Sequence, residues 1–519
     1  MNTKILRQKI LDLAIRGKLV PQNSSDEPVS VLLERIRQQK QQMLKEGKLK
    51  PKEIKDDTII FIGEDNLHYE KMMDDTIVCI EDEDLFDLPD GWAFLRLQSF
   101  ITFIGGSQPP KSTFEYSQTP DNIRLIQIRD YKTDKFATYI PRSLARRFCN
   151  KNDVMIGRYG PPIFQILRGL EGSYNVALMK AVANPHIMDN DYLYYLLQDG
   201  ELLKMLEYLS DRTCGQDGIN MYELNRYVVG IPPMNEQKRI VNYLEKILPI
   251  VDSIASEKEQ LSFLVKITKN KVLDLAIRGQ LVSQDLNDEP ASVLLERIRA
   301  KKETSHKSRN AKKDKQESII IRGDDNSYYL QNGEMIESLE EWDLNDLPDS
   351  WAICCLGEIC DYGNCINVDT DNIDDDAWIL DLEDIEKDTG RVLEHVKKKD
   401  RPVSSTKHQF HTGQVLYSKL RPYLNKVVLS DQDGFCTSEI LPLEFEDIVL
   451  PEYARFYLMS PTFLKYANRC SYGVKMPRLG TTDGKKAIVP LPPYNEQVRI
   501  VRSIHTVFSQ LNAISKSLC

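Results

Sequence analysis

The residues best equipped for chemistry in this chain are guanidinium groups, amides and flat aromatics, gathered in short stretches bounded by glycine and proline. Arg158-Tyr159 lies between glycines. Lys419-Leu-Arg421 is followed by Tyr423, Asn425 and Lys426, and the stretches Gly215 to Asn220 and Gly473 to Arg478 carry the same mixture. Arginine can hold guanine through two hydrogen bonds, asparagine or glutamine can do so for adenine, and lysine neutralises phosphate. The candidate contacts are Arg158, Tyr159, Gln216, Asn220, Lys419, Arg421, Tyr423, Asn425, Lys426, Lys475 and Arg478. Their chemistry is recognition of a nucleic acid rather than the making of bonds.

No catalytic set accompanies them. Ile231-Pro-Pro and Leu491-Pro-Pro-Tyr494 have the outline of an amine-methylating tetrapeptide, which needs Asn, Asp or Ser before the prolines to accept from the target amine. Ile and Leu offer no acceptor, so both stretches are expected to be rigid strand-to-helix junctions. Phe103-Ile-Gly-Gly106 is too short for a cofactor loop, and no strand-flanked phosphate-binding glycine motif exists. The ten cysteines lack C-x-x-C spacing and are expected to be reduced thiols; no metal site is expected. His408 and His411 read as residues of an exposed loop.

The elements that position the recognition stretches come from an internal repeat. Lys9 to Lys40 and Lys271 to Lys302 share 23 of 32 residues at an offset of 262. Pro232-Pro-Met-Asn-Glu-Gln237, followed by Arg239-Ile-Val241, returns as Pro492-Pro-Tyr-Asn-Glu-Gln497, followed by Arg499-Ile-Val501, at an offset of 260. A repeat of this kind marks a tandem duplication. Ile240, Leu244, Ile247, Val251, Ile254, Lys258, Leu261, Val265, Thr268, Val272 and Leu275 alternate spacings of four and three, the seam of a coiled coil. The two chain ends continue that register, so they are expected to form a second helix antiparallel to the central one. Pro249 predicts a kink or break.

The expected organisation is an N-terminal helical repeat at 1–42, a linker at 43–84, a recognition domain at 85–233 and the central helical repeat at 234–302. A second linker at 303–341, a second recognition domain at 342–492 and a C-terminal helix at 493–519 follow. In the first repeat, helices are expected up to Arg16 and from Pro28 to about Met43, the latter capped by Asp26 or Ser25. Pro51 to Glu83 reads as a loosely packed insertion, and the basic run Lys307 to Lys315 as flexible linker. Asp87-Leu-Pro-Asp-Gly-Trp92 and Asp346-Leu-Pro-Asp-Ser-Trp351 precede the variable stretches. Runs such as Ile123 to Ile128, Val154 to Ile156, Val415 to Tyr417 and Lys426 to Leu429 predict short strands, with helices at Asp191 to Gln198 and Pro451 to Met459. The fold class is mixed α/β: two domains of short strands and helices joined by long antiparallel coiled-coil helices, with an internal pseudo-twofold.

A net charge of -10 excludes a protein coated with positive charge but leaves local basic patches. Acids cluster at Glu81 to Asp90 and Asp369 to Asp388, and bases at Arg142 to Lys151, Lys397 to Arg401 and Lys419 to Lys426. No apolar run is long enough to span a membrane, and a cytoplasmic, soluble chain is expected. One frame that stayed nearly constant while its two inserted domains diverged fits two different readers; a duplicated protein-protein scaffold is the alternative.

Ile10-Leu-Asp-Leu-Ala-Ile-Arg-Gly-Lys-Leu-Val20, Asp26-Glu-Pro28, the Leu-Pro-Asp-Gly/Ser-Trp signal before each variable domain and Pro-Pro-x-Asn-Glu-Gln after it together resemble the specificity subunit of type I restriction-modification systems. The resemblance covers essentially the whole chain. It implies a non-catalytic subunit whose two target recognition domains each read half of a split, asymmetric double-stranded DNA sequence. It implies helices that bind two methylation subunits, which use S-adenosylmethionine, with two restriction subunits using ATP and magnesium as optional partners. No cofactor is expected in this chain. The acidic run Asp369 to Asp388 is expected to face away from DNA or be neutralised by a partner.

Overall fold

The computed structural model describes residues 2–50, 57–72, 75–81, 83, 85–160, 162–210, 218–308, 319–322, 327–332, 335–342, 344 and 346–518. The chain divides into two compact units, Met1–Glu257 and Lys258–Cys519. The boundary falls inside one continuous helix, Met234–Ile277.

In the first unit the chain opens with helices Thr3–Ile15 and Val29–Lys45. The variable domain is an excursion between two neighbouring strands. Ala93–Arg96 pairs antiparallel with Val228–Ile231, Ala93 opposite Ile231, so both ends of the domain are held at one place. Inside it, an antiparallel sheet has the order Gln165–Leu167, Val154–Gly157, Leu178–Ala183, Ile101–Gly105. All four residues of Val154–Gly157 are buried, as an unbroken apolar run in a central strand requires. A second sheet orders Tyr139–Pro141, Asn122–Ile126, Gly172–Tyr174 and Phe148–Cys149. Helices Asn190–Leu196, Gly200–Ser210 and Met221–Arg226 lead back to the closing strand.

The second unit follows the same plan. Ala352–Cys355 pairs with Ile488–Leu491, and Ala352 faces Leu491. Val415–Ser418 runs between Val427–Leu429 and Ile440–Leu443, and a further sheet orders Ile366–Val368, Lys407–Phe410, Gly434–Thr437 and Ile379–Leu380. Helices Pro451–Met459, Pro461–Cys470 and Thr481–Lys486 precede the closing strand. After each closing strand two prolines turn the chain directly into a helix, Met234–Ile277 or Tyr494–Leu518.

The repeated motifs correspond to repeated locks. Arg239 Nη2 donates to Asp26 at 2.7 Å, and Arg499 Nη2 donates to Asp288 at 2.7 Å. The Val29 amide donates to the Gly91 carbonyl at 2.9 Å, and the Ala291 amide to Ser350 at 2.9 Å. Gly17 and Gly279 have φ of +67° and +69°. A Cβ on either would lie 2.3 Å from Pro89 or 2.5 Å from Pro348, so both backbone shape and space demand glycine. Buried Gln237 accepts from the Asp189 amide at 2.7 Å and donates to Ile187 and Pro232. Gln497 does the same with Leu450, Ile448 and Pro492. Helix contacts repeat too: Arg7 reaches Asp252 at 3.1 Å and Lys269 reaches Asn512 at 2.6 Å.

Four expectations need correction. Of the kink or break expected at Pro249, the break does not occur, and the central helix runs on through it. Pro249 and Glu245 are exposed, so water can satisfy the carbonyl that loses its helical donor, while buried Leu244, Leu248 and Val251 hold both sides. Asp26 does not cap the second helix, whose N-cap is Pro28 without a side-chain bond; Asp26 is taken by Arg239. The insertion before Glu83, expected to lack regular structure of its own, holds an antiparallel sheet of mostly exposed or half-buried strands, Ile59–Ile62, His68–Lys71 and Ile77–Cys79. Its buried Glu70 makes two bonds to buried Arg96, at 2.8 and 2.7 Å, tying the sheet to the first strand of the recognition domain. The matching second insertion holds Ile319–Arg322, Tyr328–Asn332 and Met335–Ser338. His408 is buried in a strand, its Nδ1 2.8 Å from the Ile440 carbonyl, whereas His411 is exposed.

Candidate nucleic-acid interface

The recognition stretches, far apart in sequence, meet in pairs. In the first unit Tyr159 forms an isolated antiparallel bridge with Gly218. In the second, Leu420 bridges Arg478, the Arg421 amide donates to the Pro477 carbonyl at 2.7 Å, and the Leu479 amide donates to Lys419 at 3.0 Å. Each pair joins the end of a central strand to the loop before the last short helix. The same two places are used in both units, with different side chains.

Among the first unit's candidates, Arg158 is half-buried and its guanidinium lies 5.4 Å from the centroid of the half-exposed Tyr159 ring. Its Nε is buried without a partner. That arrangement presents a flat cation and a flat ring on one loop, suited to a base edge or a phosphate. Asn220 caps the helix Met221–Arg226, accepting from the Tyr222 and Glu223 amides at 3.1 and 3.3 Å. Gln216 lies outside the described residues.

In the second unit the turn after Val415–Ser418 has two left-handed residues, Arg421 and Asn425, with φ of +49° and +50°; the conformation is uncommon for Arg and more readily taken by Asn. Asn425 is buried and its Nδ2 donates to the Met459 carbonyl at 3.2 Å, which anchors the turn. Lys426 donates to the Leu382 carbonyl, and burial pulls its ammonium pKa down. Arg478 is clamped by Glu439, with Nε 3.0 Å from Oε2 and Nη2 2.9 Å from Oε1, and these bonds push its pKa up. These three side chains therefore build the loops. Lys419 and Arg421 are half-buried, Tyr423 and Lys475 are exposed, and the Arg421 Nε has no protein partner. Tyr472, Val474 and Met476, which the sequence did not single out, are exposed on the same loop. The available signal was the alternation of apolar and basic residues between Gly473 and Pro477.

Much of the acidic run is paired with bases of its own domain, and its last residue, Asp388, with Lys266 of the central helix at 2.8 Å. Arg401 bonds Asp384 at 2.6 and 2.7 Å and Asp381 at 3.2 Å, and Lys407 reaches Asp381 at 3.3 Å. Lys399 and Lys397 lie 2.7 and 3.0 Å from Asp376 and hold its carboxyl down at about 2. The basic cluster Lys397 to Arg401 is thus paired with acids, which leaves the stretch around Lys419 and Lys475 as the cationic part of the second unit's candidate interface. Among the described residues no helix is long and apolar enough to cross a membrane, and no group of three or more His, Cys, Asp or Glu could hold a metal ion. The eight described cysteines are free; burial pushes the Cys355 thiol up to about 12. The basic run Lys307 to Lys315 lies outside the described residues from 309 onward.

Fold and loops define a class: a mixed α/β protein whose two domains each present a paired loop set from a repeated helical frame. The family described as Type I restriction modification DNA specificity domain matches residues 89–262 and 348–518, and the chain belongs to it. It is 25% identical over 590 aligned residues to the type I restriction enzyme EcoEI specificity subunit of Escherichia coli, covering 99% of this chain and 90% of that one. It is 24% identical to the EcoDI specificity subunit of the same organism, over 67% of this chain and 69% of that one. A solved chain from work on complex assembly and conformational transition of the type I R-M system shares the fold at a TM-score of 0.52 and 16% identity. The likeness covers 84% of this chain and 94% of that one.

Proposed function

We propose that this member of the family acts as the non-catalytic sequence-specificity subunit of a type I restriction-modification complex, each recognition domain reading one half of a bipartite DNA target. The observation that carries the reading is the paired loops: two equivalent places in two units, built on matching strands and locks but furnished with different side chains. One frame with two different loop sets is what an asymmetric, split target requires. Arg158, Tyr159, Lys419, Arg421, Tyr423 and Lys475 are the residues proposed to face DNA; Asn425, Lys426 and Arg478 shape the loops that carry them.

The helices set the distance between half-sites and dock two methylation subunits, with the antiparallel coiled coil of the central helix and the chain ends acting as a ruler. This geometry is supported by the continuity of the 44-residue helix through Pro249 and by the repeated Arg7–Asp252 and Lys269–Asn512 contacts. S-adenosylmethionine belongs to the methylation subunits, ATP and magnesium to restriction subunits where these are present, and the complex works in the cytoplasm. The test is the adenine methylation pattern of the host genome, read by single-molecule sequencing, before and after residues 85–233 are exchanged for those of a relative. One half of one bipartite motif should change. A change in both halves, or in neither, refutes independent readers.

A further inference from the structure

We propose that Val474 and Met476 form an apolar tip that reads the C5-methyl group of a thymine in the half-site bound by the second unit. The inference rests on the DNA-reading function proposed above and adds the base feature and the residues. Val474 is fully exposed, at 100%, with Met476 at 49% and Tyr472 at 63% beside it. Three large apolar side chains within five residues of one another are left to water on one loop.

The base of the tip is held by backbone bonds. The Tyr472 amide donates to the Arg478 carbonyl at 3.1 Å and the Arg478 amide returns the bond at 2.9 Å, closing a tight hairpin. The Arg478 guanidinium is fixed by Glu439, and the Pro477 carbonyl by the Arg421 amide. At Gly473 φ is +99°, and a Cβ there would sit 3.1 Å from the Met476 carbonyl oxygen, so the turn is specific to glycine. A tip whose base is already held loses less freedom on binding than an open loop, which raises the net gain from any apolar contact it makes.

Charge selects the partner. Lys475 stands between the two apolar residues, and Lys419 and Arg421 lie on the neighbouring loop that bridges the hairpin at Leu420 and Arg478. Glu439, which meets the loop pair from the turn between Gly434–Thr437 and Ile440–Leu443, is neutralised by Arg478. An apolar tip set among cations fits a polyanion that also exposes an apolar group. In the major groove of duplex DNA that group is the thymine methyl, which distinguishes T·A from every other pair.

The test uses the full chain assembled with its methylation subunit and a duplex carrying the methylated motif found by sequencing. Each thymine of the second half-site is replaced in turn by deoxyuridine, which removes the methyl and keeps every hydrogen-bonding group. At one position binding should weaken about fourfold, the effect of losing one buried methyl. The double variant Val474→Ala, Met476→Ala should bind the thymine duplex about as weakly as wild type binds the uracil one, and should no longer distinguish the two. Its unfolding midpoint should be unchanged, since both side chains are exposed. If no uracil substitution in the second half-site weakens binding, or the double variant weakens every duplex equally and still prefers thymine, the tip does not read a methyl. A wild-type complex that shows no preference for the motif over unrelated duplex overturns the DNA-reading function itself, a separate and distinguishable result.

Discussion

Replacing Gln497 by alanine should destabilise the second unit by about 3 to 5 kcal/mol, and the figure follows from its hydrogen bonds. The side chain is fully buried. Its Oε1 accepts from the Leu450 amide at 2.7 Å, and its Nε2 donates to the Ile448 carbonyl at 2.9 Å and the Pro492 carbonyl at 3.0 Å. Leu450 is the N-cap residue of Pro451–Met459, so the amide clamps the start of that helix to the double-proline turn. Each bond contributes about 1 kcal/mol net, and alanine also leaves one donor and two acceptors without their partner. Gln237 makes the corresponding bonds to Asp189, Ile187 and Pro232, and Asp189 caps Asn190–Leu196. Gln237→Ala should therefore produce a loss of the same size in the first unit. Native-state hydrogen exchange, followed on peptides from the two capped helices, separates the units. Protection in the mutated unit should fall by roughly a hundredfold or more, at about 1.4 kcal/mol per factor of ten. A loss below about 1 kcal/mol in both variants would show that the shared Gln is not the clamp and would leave the motif without its physical explanation.

Burial raises the Glu496 carboxyl pKa against the opposing bonds from Gln284 and Trp351. A raised folded-state pKa means that stability is fully present below the unfolded value, about 4.3, and is lost as pH rises through the folded one. Glu496→Gln should thus gain urea stability relative to wild type at neutral pH, with the difference shrinking toward pH 4; a difference that does not vary with pH would count against buried charge as its cause. Arg401→Ala should cost about 3 kcal/mol by leaving mostly buried Asp384 unpaired, and urea unfolding of the second unit would measure it. Arg158→Ala or Arg421→Ala should weaken binding. A base reader should relax one position of the motif by about 1 to 3 kcal/mol, whereas equal weakening on all duplexes marks a phosphate contact; competition binding against single-base variants separates them.

The frame was legible in the sequence because its locks are made by side chains of fixed type at fixed offsets. The repeat holds Asp26 with Arg239 and Asp288 with Arg499, Gly17 against Pro89 and Gly279 against Pro348, and both buried glutamines. Strands such as Val154–Gly157 and Val415–Ser418 announced themselves because fully buried strands are unbroken apolar runs. The insertion before Glu83 was missed because its short strands are largely exposed and its main anchor, Glu70 with Arg96, is an ion pair between residues 26 apart.

By itself the sequence determined the internal repeat, the order of frame and variable stretch, the strand-to-helix role of the double prolines and the residue types able to meet a nucleic acid. These follow from local periodicity and from repetition, which one dimension can carry. Only the tertiary structure decided which of those residues remain available. Asn425, Lys426 and Arg478 look like contacts in one dimension but meet Met459, Leu382 and Glu439 in three. Lys397 to Arg401 looks like a basic patch but neutralises an acidic run. Val474 looks like ordinary core but stands in water. Hydrogen bonds and ion pairs saturate through space between residues distant in sequence, so only the fold tells a working loop residue from one that holds the loop in shape.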